Sequence, residues 1–220
     1  MSATGRNPRA TIRRILDAAE REFQEFGLDG ARIARIAESA STSKQIIYNY
    51  FINTGGLYLA VINDLTARHR ETMLKEDLSS QDPGKDLKKF IEILFDIMAS
   101  HEGRVESKVL ISGAGLPVGG VYLRGQRKVI ALLESIIRRG QKDAIFIQDV
   151  NVVDLFVFIT TTAAALNAAR TAMSEIKAFH TSNPYPEGFW RSYLSDLVLA
   201  AVSVERGISE GSGSPLLRSS

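Results

Sequence analysis

Apolar residues recur at three- and four-residue steps through long stretches of this chain, from Ile12, Ile15, Leu16, Ala19 and Phe23 near its start to Leu194, Leu197, Val198 and Ala201 near its end. That spacing returns to one side of an α-helix with each turn, and no stretch alternates as a half-buried strand would. An all-α fold is expected. Asn7-Pro8 offers an N-cap followed by a first-turn proline, and Gly27 stops the first helix. A second, short helix is expected over about 31–39, with Ile33, Ile36, Ala37 and Ala40 inward and Arg32, Arg35 and Ser39 on the opposite face. Ser41-Thr42-Ser43 then interrupts, because hydroxyl side chains compete for backbone hydrogen bonds, and Ser43 can cap the next helix. That third helix, roughly 44–50, is too short to hold alone. Ile47 and Phe51 would anchor it, leaving Lys44, Gln45, Tyr48, Asn49 and Tyr50 outside.

Further amphipathic helices are expected over about 55–77, 83–101 after the Asp82-Pro83 start signal, 103–112, 119–142, 150–173 and 187–206. Asn183-Pro184-Tyr185-Pro186 separates the last two, and the Gly/Ser-rich segment 207–220 reads as a disordered tail. The division that follows is a flexible basic arm (1–8), a small three-helix module (9–54), a larger helical domain (55–206) and the tail. A chain of 220 residues has room for both modules. The longest apolar stretch, 150–173, is broken by Asp154, three consecutive threonines, Asn167 and Arg170. It falls short of the clean run of about 20 apolar residues that a bilayer crossing needs, so a buried or interfacial helix and no membrane partner are expected. With no cysteine, disulfides, thiolate metal sites and thiol nucleophiles are excluded, in keeping with a cytoplasmic location.

A net charge of only +2 gives no support to nucleic-acid binding, so the placement of charge must decide. Two short helices joined by a tight turn, the second presenting polar and aromatic groups, have the layout of a helix-turn-helix whose second helix enters the major groove. Lys44, Gln45 and Asn49 suit base edges, whereas Arg32, Tyr48 and Tyr50 suit phosphate oxygens. Arg32 and Arg35 have a second reading as a solvated face. Arg6, Arg9, Arg13 and Arg14 form either a disordered tail or an arm that grips the minor groove or nearby phosphates.

From Ile12 to Leu65, with Ile36-Ala37, Ser43-Lys44, Ile47-Tyr48-Asn49-Tyr50-Phe51 and Leu57-Tyr58, the chain resembles the DNA-binding domain of the TetR family. The resemblance implies that Ser43, Lys44 and Gln45 approach bases and that Tyr48 and Tyr50 touch the DNA backbone. Two positions depart from the family: its usual turn glycine is Ser41 here, and the lysine that caps the following helix near a phosphate is Thr54. Ser41 would have to accept the turn's backbone angles at a modest cost. Thr54 can still offer a hydroxyl to phosphate.

The resemblance also implies an all-helical effector and dimerisation domain. Leu155, Ile159, Thr162, Leu166, Ala169 and Met173 form one stripe of the 150–173 helix, and the last helix supplies Trp190, Leu194, Leu197, Val198, Ala201 and Val202. Two such helices per subunit would build a four-helix homodimer interface, with Leu155, Ile159, Leu166, Trp190, Leu194, Leu197, Val198 and Ala201 at its centre. Alternatively, both helices serve the monomer core. For a small-molecule pocket the candidates are Phe95, Met98, His101, Arg104, Gln126, Phe158, Thr161, Thr162, Asn167 and Arg170. No paired carboxylates, His-x-x-x-His spacing, phosphate loop or Gly-x-Ser-x-Gly elbow is present, so neither catalysis nor a cofactor or metal is expected. The expectation is a ligand-responsive regulator, a repressor rather than an activator, that binds a near-palindromic operator in double-stranded DNA as a homodimer. A helical protein-interaction adaptor is the alternative, but it leaves the Lys44–Tyr50 cluster without a purpose.

Overall fold

The computed structural model describes residues 7–100, Gly103 and Val105, 118–175 and 188–204. Its helices are α1 (Pro8–Gly30), α2 (Ile33–Ser39), α3 (Lys44–Phe51), α4 (Thr54–Leu74), α5 (Pro83–Ala99), α6 (Val118–Gly125), α7 (Arg127–Lys142), α8 (Val152–Glu175) and α9 (Phe189–Val202). No strand occurs among the described residues. An isolated bridge pairs Phe146 with Ser203, and the Ile147 N–H donates to the Val202 carbonyl at 2.8 Å, tying the end of α9 to the α7–α8 turn. The expected helix over 103–112 and the tail over 207–220 lie outside the described residues, as do His101 and Arg104.

Local signals set most helix starts. The Asn7 side chain accepts from the Arg9 N–H and Pro8 opens α1, while Asp82 accepts from the Lys85 N–H ahead of Pro83. Pro8 is therefore helical rather than part of an arm. Gly27 does interrupt α1, at φ 69, but the helix resumes and runs to Gly30. The expected 119–142 helix is broken between Gly125 and Gln126 because α4 grips the break. Arg70 Nη1 donates to the Gly125 carbonyl at 2.7 Å, and Thr66 leaves room for no more than a glycine hydrogen without yielding.

Among the described residues two hydrophobic cores result. The first gathers Ile15, Ala19 and Phe23 of α1, Ile36 of α2, Ile47 of α3, and Leu57, Tyr58, Val61, Ile62 and Leu65 of α4, with Val105 closing it. Phe23 meets the Tyr58 ring edge-on at 4.9 Å. Between Leu65 and Met73, α4 passes from the first of these cores to the second. An ion network fastens α1 to α4: Arg13 bridges Asp17 and Asp64, and Arg68 bridges Glu20 and Asp64. Arg13 is therefore occupied as a strut between α1 and α4.

The second core joins Met73 of α4 to Leu87, Phe90 and Leu94 of α5, Leu133 and Ile136 of α7, Phe156 and Ile159 of α8, and Leu194 and Val198 of α9. Averaged over Val152–Arg170, hydropathy reaches 1.7, so by length and composition this helix could cross a bilayer despite its polar interruptions. In the fold it packs on α5, α7 and α9, yet only 33% of that window is buried.

Candidate nucleic-acid interface

The reading head is built from the α2–α3 turn. At the end of α2, Ser41 adopts φ 49, its N–H donates to the Glu38 carbonyl at 3.0 Å, and the Thr42 N–H donates to the Ala37 carbonyl at 2.9 Å. This is a Schellman closure with a serine in the left-handed position that glycine usually holds. The sequence expectation for Ser41 is met in geometry. Ser43 then caps α3, its hydroxyl accepting from the Ile46 N–H at 3.3 Å, and the hydroxyl keeps its proton and a second lone pair for an outside partner.

Within α3, Ile47 is fully buried and Phe51 packs on the first core, while Lys44, Gln45, Tyr48, Asn49 and Tyr50 all face solvent. Gln45 Nε2 donates to Asn49 Oδ1 at 3.1 Å, which aligns two amide side chains on one face of the helix. Each retains donor and acceptor capacity suited to an adenine edge. Tyr48 and Tyr50 are large aromatics left 42% accessible, outside the buried core.

The cationic face of α2 divides in two. Arg35 is bound by Glu22, with Nε at 2.9 Å and Nη2 at 2.5 Å from Oε1, and it lies over the Phe26 ring at 4.1 Å. Glu22 is itself buried and also accepts the Arg32 N–H at 2.8 Å. Burial alone would raise the Glu22 pKa, but the Arg35 hydrogen bond, the Arg32 N–H and attraction to both cations outweigh it and hold the carboxyl below its ordinary value. Arg35 is thereby a structural residue. Arg32 leaves its side chain exposed at the N-cap of α2.

Thr54 opens α4, half-buried, but does not cap it. Asn53 does, its Oδ1 accepting from the Gly56 N–H at 2.7 Å. Asn53, Ile52 (φ 65) and Glu22 are the residues missing from the sequence reading. An asparagine ahead of Thr-Gly-Gly is a legible cap signal for the first of these. Glu22 reaches Arg35 from thirteen positions away, which no local pattern reveals.

The C-terminal candidates separate by burial. Phe95, Met98, Gln126 and Asn167 are interior, and Asn167 Nδ2 bonds the Ala163 carbonyl at 2.9 Å and the Phe95 carbonyl at 3.4 Å. Phe158, 47% accessible, and Arg170 face outward instead, and Thr161 returns its hydroxyl to the Val157 carbonyl at 2.7 Å. Thr162 is half-buried. The reason is register: α8 buries Phe156, Ile159, Ala163 and Asn167, so positions 158, 161 and 165 point away. The same register divides the proposed interface residues by burial. Ile159, Leu194 and Val198 are buried in the chain's own core, Leu155, Leu166 and Trp190 are half-buried, and only Leu197 and Ala201 stand fully in the open. Exposed apolar surface is supplied by Val153, Val157, Phe158, Tyr193 and Leu197.

Known proteins agree with this architecture. Residues 15–61 match the family described as bacterial regulatory proteins, tetR family. The HTH-type transcriptional repressor SCO4008 of Streptomyces coelicolor is 31% identical over 161 residues, covering 72% of this chain and 79% of the relative. The HTH-type transcriptional repressor NicS of Pseudomonas putida is 24% identical over 191 residues, covering 84% and 89%. In fold, the transcriptional regulator FadR of Bacillus subtilis, solved with stearoyl-CoA, superposes with a TM-score of 0.65 at 18% identity, over 86% of this chain and 95% of that one. With its helix-turn-helix built as described and a relative matched over most of its length, the chain belongs to the TetR family of bacterial transcription regulators.

Proposed function

We propose that this protein is a cytoplasmic repressor that binds a near-palindromic operator as a homodimer and is released when a small molecule enters its C-terminal domain. The observation that carries the reading is the solvent face of α3, where Lys44, Gln45, Tyr48, Asn49 and Tyr50 stand exposed on a helix that Ile47 pins to the core. Lys44, Gln45 and Asn49 read bases, with Ser43 at the helix start, while Arg32, Tyr48, Tyr50 and Thr54 hold phosphates. Repression accords with the two relatives, both described as repressors, and a ligand accords with the stearoyl-CoA bound to FadR. Dimerisation is supported by α8, only 33% of whose apolar window is buried in the single chain and which exposes Val153, Val157 and Phe158, together with exposed Leu197 and Tyr193 of α9. A twofold contact there gives paired reading heads about one turn of DNA apart. Phe95, Met98, Gln126 and Asn167 are the interior residues offered to the effector.

Selection of bound sequences from a random DNA pool, at fixed salt, tests this reading. An enriched palindrome is expected. Absence of enrichment by a folded, ligand-free dimer would favour a helical adaptor that keeps the scaffold without DNA recognition.

A further inference from the structure

The outer side of α7 carries a groove that the regulatory reading does not use. Its volume is about 310 Å3, and its apolar floor is made by Leu123 of α6, Ile130 and Ala131 of α7 and Val153 of α8. Positions 127, 130, 131 and 134 form one stripe of α7, opposite the buried stripe of Val129, Leu133, Ile136 and Ile137. The helix therefore separates this groove from the interior candidates.

Arg124 and Arg127 border the floor. Neither makes a hydrogen bond or ion pair among the described residues. Among the described residues that line the groove the one carboxylate, Glu134, is engaged by Arg138 Nη2 at 2.5 Å. Arg127 and Lys128 also stand in the first turn of α7, which contains no acidic residue and no side-chain cap. A cation there opposes the helix dipole, so these charges cost the fold stability rather than adding to it. Two unengaged guanidinium groups beside an open hydrocarbon floor complement one kind of molecule, an anionic head on an apolar body. A guanidinium fork matches a carboxylate with paired hydrogen bonds.

We propose that this groove binds an amphipathic organic anion, a straight-chain carboxylate whose hydrocarbon lies on Leu123, Ile130, Ala131 and Val153 and whose head pairs with Arg124 and Arg127. The volume sits at the small end of ligand sites, which suits a medium chain.

Titration calorimetry on the full chain with decanoate, and with decyltrimethylammonium as a body of the same length and opposite charge, tests it below the concentration at which either aggregates. Decanoate is expected to bind saturably at one per protomer, the cation not to bind, and R124Q/R127Q to weaken decanoate by about tenfold or more with a melting temperature no lower than the parent's. No decanoate binding, equal binding of the cation, or undiminished binding by the variant would overturn the proposal. The last of these would place decanoate elsewhere in the protein and leave the effector reading intact. Because the chain has no cysteine, Ala131→Cys gives a single thiol for labelling. Decanoate is expected to slow its modification. A thiol that reacts only in urea would show the groove covered by a second copy, and one that decanoate fails to protect would show it unoccupied; either sinks the proposal.

Discussion

Replacing a helical glycine with alanine ordinarily stabilises a protein by about 0.5–1 kcal/mol. At Gly56, in the first turn of α4, the structure demands the opposite sign. A Cβ there would stand 2.2 Å from the Phe51 carbonyl oxygen, where real contacts do not fall below 3.0 Å, so the corner must open by at least 0.8 Å, the difference between the two. The obstructing atom is backbone and cannot rotate aside. Phe51 ends the recognition helix, and the connection is tight: Ile52 holds φ 65 and ψ −54 while the Asn53 N–H donates to the Phe51 carbonyl at 2.7 Å, a γ-turn in its strained, positive form. Asn53 in turn caps Gly56. Overpacking at about 1–3 kcal/mol, plus loss of up to about 1 kcal/mol at each of two hydrogen bonds, outweighs the propensity gain and leaves Gly56→Ala destabilised by about 2–4 kcal/mol. Operator affinity should fall as well, about ten- to a hundredfold, because the displaced element carries the base contacts, each bidentate pair being worth about 1–3 kcal/mol. Urea denaturation followed by circular dichroism gives the first quantity, and fluorescence anisotropy with the selected operator gives the second. A raised urea midpoint together with unchanged affinity would refute the reasoning.

Ser41→Gly should act oppositely, raising stability by about 0.5–1 kcal/mol in the same urea assay, since Ser41 occupies the left-handed position at φ 49; a lowered midpoint would show the serine to be favourable there. Glu22 has its folded pKa lowered from an ordinary 4.5, so its contribution is present above the unfolded value and is lost as pH falls through the folded one. Stability measured against pH should thus fall less steeply below about pH 4.5 in Glu22→Gln than in the parent, and identical slopes would remove Glu22 from the account. Leu197→Glu, on the exposed face of α9 at 44% accessibility, should yield a folded monomer by sedimentation with operator affinity reduced at least tenfold; an unchanged dimer would move the interface elsewhere.

How much of this was legible in the sequence depended on whether the cause was local. Asn7-Pro8 and Asp82-Pro83 fix their helices through bonds made within three residues, and both were readable as starts. Ile47 and Phe51 against an exposed Lys44–Tyr50 face followed from a periodicity of one short helix. The break at Gly125 was not readable, because its cause is Arg70, fifty-five positions away, and the pattern on either side continues in helical phase. The outward turn of Phe158 and the burial of Ile159 failed for a related reason. α8 is apolar around most of its circumference, so hydrophobicity does not mark which stripe faces α5, α7 and α9. Arg13 looked like part of a basic arm until Asp64, fifty-one positions on, came to meet it.

The two cores meet through α4, and this limits how a switch can work. Leu57, Tyr58, Val61, Ile62 and Leu65 belong to the first core and Met73 to the second, while Arg70, between Leu65 and Met73, holds the α6–α7 break by its Gly125 carbonyl. From Gly56 to Arg70 the helix spans about 21 Å at 1.5 Å per residue. In the proposed release, an effector that shifts α6 and α7 acts on the far end of this lever through Arg70. At the near end, Gly56 already abuts the Phe51 carbonyl and Asn53 locks the corner, so there is little slack to absorb a displacement before α3 moves. The Arg13–Asp64 and Arg68–Glu20 pairs oppose any sliding of α4 along α1, which favours rotation of the whole reading head over its internal deformation. A coupling of about 1–3 kcal/mol between operator and effector, the usual range for linked sites, then requires only that the two head separations differ in the contacts the effector can make.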